Sequence, residues 1–209
     1  MDSALPAELF RRADESNDAE FYATPRLVAH IEPETIEAVT RLYRELLPPD
    51  GAILDLMSSW ISHLPPEMNF SRVAATGMNQ KELEANPRLS DFRVQDLNAS
   101  PKLPFDDAAF DAALCCVSVQ YLTRPVEVFA DVARVCRAGA PMIITFSNRC
   151  FPTKAVAAWQ RLDDRGHLEL AAYYLKMAGG WEDIEARDCT PHPAREPLLA
   201  ITARRASGS

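Results

Sequence analysis

The chain has 209 residues, 47% hydrophobic and 25% charged, with a net charge of -8 and a pI near 5.0. This suits one domain with a full hydrophobic core, and so acidic a surface argues against a nucleic-acid backbone as partner. No apolar run approaches the ~20 residues that cross a bilayer, and the opening MDSALPAELFRRADE turns acidic too early for a leader, so a cytoplasmic protein without a membrane span is expected.

Residues 1–32 are polar and mixed as far as Phe21-Tyr22-Ala23-Thr24-Pro25. Pro33 opens a helix whose Ile36, Val39, Tyr43 and Leu46/Leu47 share one face, and Pro48-Pro49-Asp50-Gly51 ends it. Ile53–Leu56 reads as the first strand. Ser58–Leu64 is predicted as a short helix, stopped by Pro65-Pro66. Arg72–Thr76 is the second strand, Gln80–Asn86 a short helix and Phe92–Gln95 the third strand. A loop over Asp96–Asp107 follows.

Phe110–Val119 is a continuous apolar run, as in a central parallel strand buried on both faces. Pro125 starts the next helix, with Val128, Phe129, Val132 and Val135 inward, and Gly139 stops it. Pro141–Phe146 is the fifth strand. Helices are predicted over Thr153–Asp164 and His167–Ala178, then strands Trp181–Arg187 and Leu198–Ala203. A parallel pair needs a crossover of about a dozen residues or more, so the short link between these last strands makes them antiparallel.

Five cysteines, at 115, 116, 136, 150 and 189, show no metal-ligand spacing and are expected to be buried, reduced thiols. Adjacent on a strand, Cys115 and Cys116 should face opposite sides. The four histidines are scattered, and there is neither a Gly-x-Ser-x-Gly elbow nor a phosphate-binding glycine loop.

Three stretches carry a family likeness: Ile53–Trp60 (ILDLMSSW), Leu103–Leu114 (LPFDDAAFDAAL) and Val126–Ala140 (VEVFADVARVCRAGA). From Ala52 to Phe146 the chain resembles the class I S-adenosylmethionine-dependent methyltransferases, most closely the type 11, ubiquinone/menaquinone-biosynthesis kind. The resemblance implies an α/β, three-layer Rossmann-like fold: a seven-stranded, mostly parallel sheet with one antiparallel strand. It implies one domain over 1–209, with a lid region at 1–47 and a core at 51–205. The implied cofactor is S-adenosylmethionine, with no metal, and the implied substrate is a small molecule.

The implied cofactor residues are Asp55, Ser58, Ser59, Trp60, Gly77, Met78, Asn79, Asp96, Leu97 and Val117. Met57–Ile61 stands where the family has a glycine-rich turn, whose glycines give positive φ and close approach to the cofactor. Trp60 is expected over the pocket mouth. Gly77 takes the place of the family's ribose-binding acid, and restoring an acid there is expected to tighten binding. Asn79 either bonds the ribose hydroxyls or caps the next helix. Asp96 matches the adenine-contacting acid or is a turn residue. Acceptor contacts are expected from Tyr22, Gln120, Tyr121 and Asn148, under a lid containing Phe21, Tyr22 and Arg26. Two functions follow: methyl transfer to a small molecule through an atypical cofactor site, or a non-catalytic binding or interaction protein on the same fold that has lost the cofactor.

Overall fold

The computed structural model describes residues 5–207; the first four residues of the 1–47 region, and residues 208–209, lie outside it. Seven strands form one sheet: β1 Ala52–Leu56, β2 Arg72–Gly77, β3 Asp91–Val94, β4 Ala112–Cys116, β5 Pro141–Phe146, β6 Trp181–Asp188 and β7 Leu199–Arg205. Their order is β3-β2-β1-β4-β5-β7-β6, and β7 runs antiparallel to both its neighbours. β6 is therefore parallel to the first five strands, and β7 is the single reversed one. The helices are α1 Asp18–Phe21, α2 Pro33–Leu46, α3 Gln80–Ala85, α4 Pro125–Val135, α5 Ala157–Gln160 and α6 Asp164–Ala178.

The strand alternation sorts side chains into two cores. Leu54 and Leu56 of β1 pack with Phe129 and Val132 of α4 and with Leu170 and Leu175 of α6. Ile53 and Leu114 pack on the other face with Val39, Leu42 and Tyr43 of α2. Each such buried aliphatic contributes roughly 1.5–3 kcal/mol. Cys115 belongs to the first core, and Cys116 packs against the second.

Three expectations are corrected. Residues 58–64 form no helix, so the β1–β2 crossover is irregular. Met57 turns to φ +53°, and the Ser58 N–H donates to Thr76 O at 2.7 Å, carrying the chain across the end of β2 instead of into a helical turn. β4 is shorter than the apolar run: Val117 leaves the strand at φ +49°. Before α6 begins at Asp164, only α5 of the expected Thr153–Asp164 helix is α-helical. There the backbone pairs with the N-terminal segment, Asp14 N–H donating to Thr153 O and Ala157 N–H to Arg11 O, both at 2.8 Å. α6 starts earlier than expected because Asp163 caps it, accepting from the Gly166 N–H at 2.8 Å.

Candidate functional site

A cavity of about 310 Å³ opens over the C-terminal ends of β1, β2 and β4, where an open α/β sheet places its ligands. Its floor is made by strand ends. Asp55, only 3% exposed, accepts from Ser58 Oγ at 2.6 Å. Burial lifts its carboxyl to about 6, opposed by the hydroxyls of Ser58 and Ser62. Beside it, burial pushes the Cys116 thiol up to about 11. His63 also lines the cavity, its Nδ1 buried without a partner, and burial lowers its imidazole to about 4.

Three wall residues, Met57, His63 and Val117, hold positive φ between 49° and 53°. Such backbone costs about 1–3 kcal/mol per residue and gathers where a site over-determines it. For a β-branched residue such as Val117 the conformation is rare.

The side wall is the loop from Ser58 to Trp60 laid against α3. Glu82, in the first turn of α3, accepts from Ser59 Oγ and from the Arg26 N–H, both at 2.6 Å. Asn79 caps α3, its Oδ1 accepting from the Lys81 and Glu82 N–H groups at 3.0 and 3.2 Å. Its Nδ2 donates to Tyr22 O and Ala23 O at 2.8 and 3.1 Å. The helix-cap alternative is thus the one observed, and both amide protons are committed to the backbone of Tyr22 and Ala23. Asp96 makes an Asx turn, accepting from the Asn98 N–H at 2.8 Å, and still lines the cavity.

The roof is residues 18–31. Trp60 Nε1 donates to Val28 O at 3.1 Å, so the half-buried indole ties loop to roof at the mouth. The other end is latched by a buried ionic cluster. Arg12 grips both Asp18 oxygens at 2.9 and 2.7 Å, and the fully buried Lys154 reaches Asp18 at 3.1 Å and Asp14 at 3.2 Å. Asn98 joins this latch to the floor, donating to Asp18 Oδ2 at 3.1 Å and to Tyr121 O at 3.0 Å. Despite burial, these donors hold the Asp18 carboxyl below its usual range. Phe151 stacks on Tyr121 and meets Phe21 and His30 edge-on.

All ten residues named for the cofactor line this one cavity, as do Tyr22 and Tyr121. Gln120 and Asn148 do not. Gln120 is buried with its amide donating to Val117 O at 3.0 Å, and Asn148 is exposed. Gly77 is corrected too: a Cβ there would sit 2.4 Å from Ser58 O, so restoring an acid would break the loop before it touched a ligand. Of the cysteines, Cys150 is exposed at the cavity rim, against the expectation that all are buried.

Glu82, Asp18, Asn98 and Phe151 also line the cavity, and sequence reading passed over them. The only sequence signal was local: a lysine in the largely apolar stretch Phe151–Trp159 marks a buried counter-charge. Among the described residues, no group of three His, Cys, Asp or Glu is placed to hold a metal, and no helix is long and apolar enough to cross a membrane.

Residues 62–144 match the family model described as a methyltransferase domain. The match begins inside the β1–β2 crossover, later than the expected Ala52, so it leaves out β1 and the turn that lacks glycines. No curated protein matches the chain in sequence. Among solved structures, the [4+2]-cyclase SpnF is 17% identical with a TM-score of 0.60, covering 81% of each chain. An S-adenosylmethionine-dependent methyltransferase from Mesorhizobium loti is 17% identical with a TM-score of 0.56, over 80% of this chain and 98% of that one. Phosphoethanolamine N-methyltransferase 2 of Haemonchus contortus, in complex with S-adenosyl-L-methionine, is 13% identical with a TM-score of 0.59, over 82% of this chain and 52% of that one. At such identities the likeness is one of fold, and a cyclase among them shows that the fold alone does not fix the reaction. Residues 62–144 thus resemble a methyltransferase domain, and the sheet order agrees with the fold shared by these solved structures.

Proposed function

We propose that the chain is an S-adenosylmethionine-dependent methyltransferase acting on a small molecule, one domain over 1–209 working in the cytoplasm with residues 1–47 as its lid. The observation that carries this reading is one roofed cavity lined by all ten cofactor positions. Its donor set suits the cofactor. The buried Asp55 carboxylate is placed for a cationic amino group, and Asp96 and Leu97 border the space an adenine would take. Glu82 replaces the missing acid at Gly77: each of its oxygens holds one hydrogen bond, and a carboxylate has about four lone-pair sites, leaving acceptors for ribose hydroxyls.

S-adenosylmethionine, when bound, supplies an activated methyl group on a sulfonium. The chain's own task is then alignment and exclusion of water, which need no acid–base pair. Tyr121 and Phe151 offer an aromatic face to the acceptor, and the latched roof excludes solvent. A cavity of about 310 Å³ is in the small-ligand range of roughly 300–1,000 Å³, which favours a metabolite over a macromolecule.

Two observations favour a second reading, a non-catalytic binding protein: the Ser58 carbonyl fills the space of the ribose acid, and no helix lies between β1 and β2. The test is transfer of labelled methyl from S-adenosylmethionine into a whole-cell extract that is then fractionated by size. Label in the small-molecule fraction, absent without protein, is the expected result. Label only in protein or nucleic acid contradicts the substrate class, and no transfer favours the second reading.

A further inference from the structure

Arg26 lines the cavity without an ionic partner. Its Nη2 donates to Phe21 O at 2.9 Å, and its Nη1 is buried with no hydrogen-bond acceptor. The guanidinium is held between rings, 4.8 Å from the centroid of Phe21, 5.3 Å from Phe151 and 5.9 Å from Tyr22. Among the described residues it forms no ion pair, and the nearby carboxylates are engaged elsewhere. Asp18 is taken by Arg12 and Lys154; Glu82 accepts the Arg26 main-chain N–H and the Ser59 hydroxyl. Arg149, the other arginine on the cavity wall, is paired with Glu32 and Glu196.

A charged donor turned from water and left unpaired is costly unless a ligand completes it. Aromatic faces orient a guanidinium without using its in-plane N–H groups, which match a carboxylate in geometry. We propose that Arg26 is an anion-binding residue of this cavity, taking a carboxylate of the bound small molecule. Resting on the methyltransferase reading, that carboxylate has two sources: the amino-acid tail of the cofactor, for which no helix N-terminus is present after β1, or an acidic acceptor.

The test titrates wild type, Arg26→Met and Arg26→Lys with three probes: S-adenosylhomocysteine, 5′-methylthioadenosine, which lacks the amino-acid tail, and benzoate. Thermal melts of the ligand-free variants check folding, and Met keeps the apolar stem between the rings. If the cofactor tail is the source, Arg26→Met weakens S-adenosylhomocysteine by about 10- to 100-fold. Methylthioadenosine is unchanged, and Lys restores part of the loss. If an acceptor is the source, S-adenosylhomocysteine is unchanged and benzoate binding disappears in Arg26→Met. Equal weakening of both nucleosides, or no change with any probe, overturns the inference and leaves Arg26 as lid packing. If wild type binds neither nucleoside, the methyltransferase reading fails. Benzoate then decides alone: binding that Arg26→Met removes upholds the inference, and any other result overturns it.

Discussion

Asp55 and His63 both line the cavity and pull stability in opposite directions as pH changes. The Asp55 carboxyl is raised from 3.8 to about 6, so between those values the folded chain binds a proton that the unfolded chain has lost. Its contribution to stability therefore falls as pH rises through that window, and the ionised group costs roughly 3 kcal/mol at neutral pH. His63 is lowered from 6.5 to about 4, so as pH falls through that window the unfolded chain gains the proton and stability is lost, by a similar amount. The two nearly offset in the wild type. Asp55→Asn, which can still accept from Ser58, removes the first effect alone. It is expected to be about 1–3 kcal/mol more stable at pH 7 and to lose stability more steeply toward pH 4.5, read from urea midpoints against pH. A profile parallel to wild type would contradict this assignment.

Gly77 shows what sequence reading leaves out at this scale. The absent acid was legible, but not the reason for it, because the Ser58 carbonyl that fills the space arrives from another segment. Gly77→Ala is expected to cost about 1–3 kcal/mol through overpacking and to weaken any ligand on the side wall. Chemical denaturation and a binding titration check both parts; a neutral substitution would show that the loop yields freely.

At the level of elements, the signals in the sequence are clear where hydrophobic spacing decides. β5 has the expected bounds, α4 buries the expected residues, α2 buries Val39 and Tyr43 with Ile36 and Leu46 only partly covered, and the last two strands pair antiparallel for the reason given by their short link. The signals misled at 58–64 and 153–164, where helix-compatible residues are claimed by distant partners: Thr76 for the first, Arg11 and Asp14 for the second. Periodicity records what a segment can bury, not which backbone groups elsewhere compete for it. The roof latch is the clearest case, since Lys154 and Asp18 lie far apart in sequence. Asp18→Ala would leave the Lys154 ammonium with only Asp14, the Ser16 hydroxyl and backbone oxygens and is expected to cost about 3–5 kcal/mol. It should also speed proteolysis within residues 12–31. A loss under about 1 kcal/mol, the size of a surface pair, would show that the latch is not a buried network.

For the whole molecule, strand order follows from the parallel run through β5 and the single reversal at β7, which leaves ligands the space above β1, β2 and β4. The location of the cavity was legible because several of its lining residues end strands. Its closure was not, because the roof, Glu82 and the Phe151 rings are contributed by three separate segments that carry no motif. The most direct measurement of the central claim is calorimetric titration of the full chain with S-adenosylhomocysteine, paired with thermal melts. The expected result is saturable binding at one site per chain, with stabilisation of about 2.7 kcal/mol at a hundredfold excess over Kd. Flat heats and an unmoved melting temperature at millimolar ligand would contradict the claim that this cavity holds the cofactor.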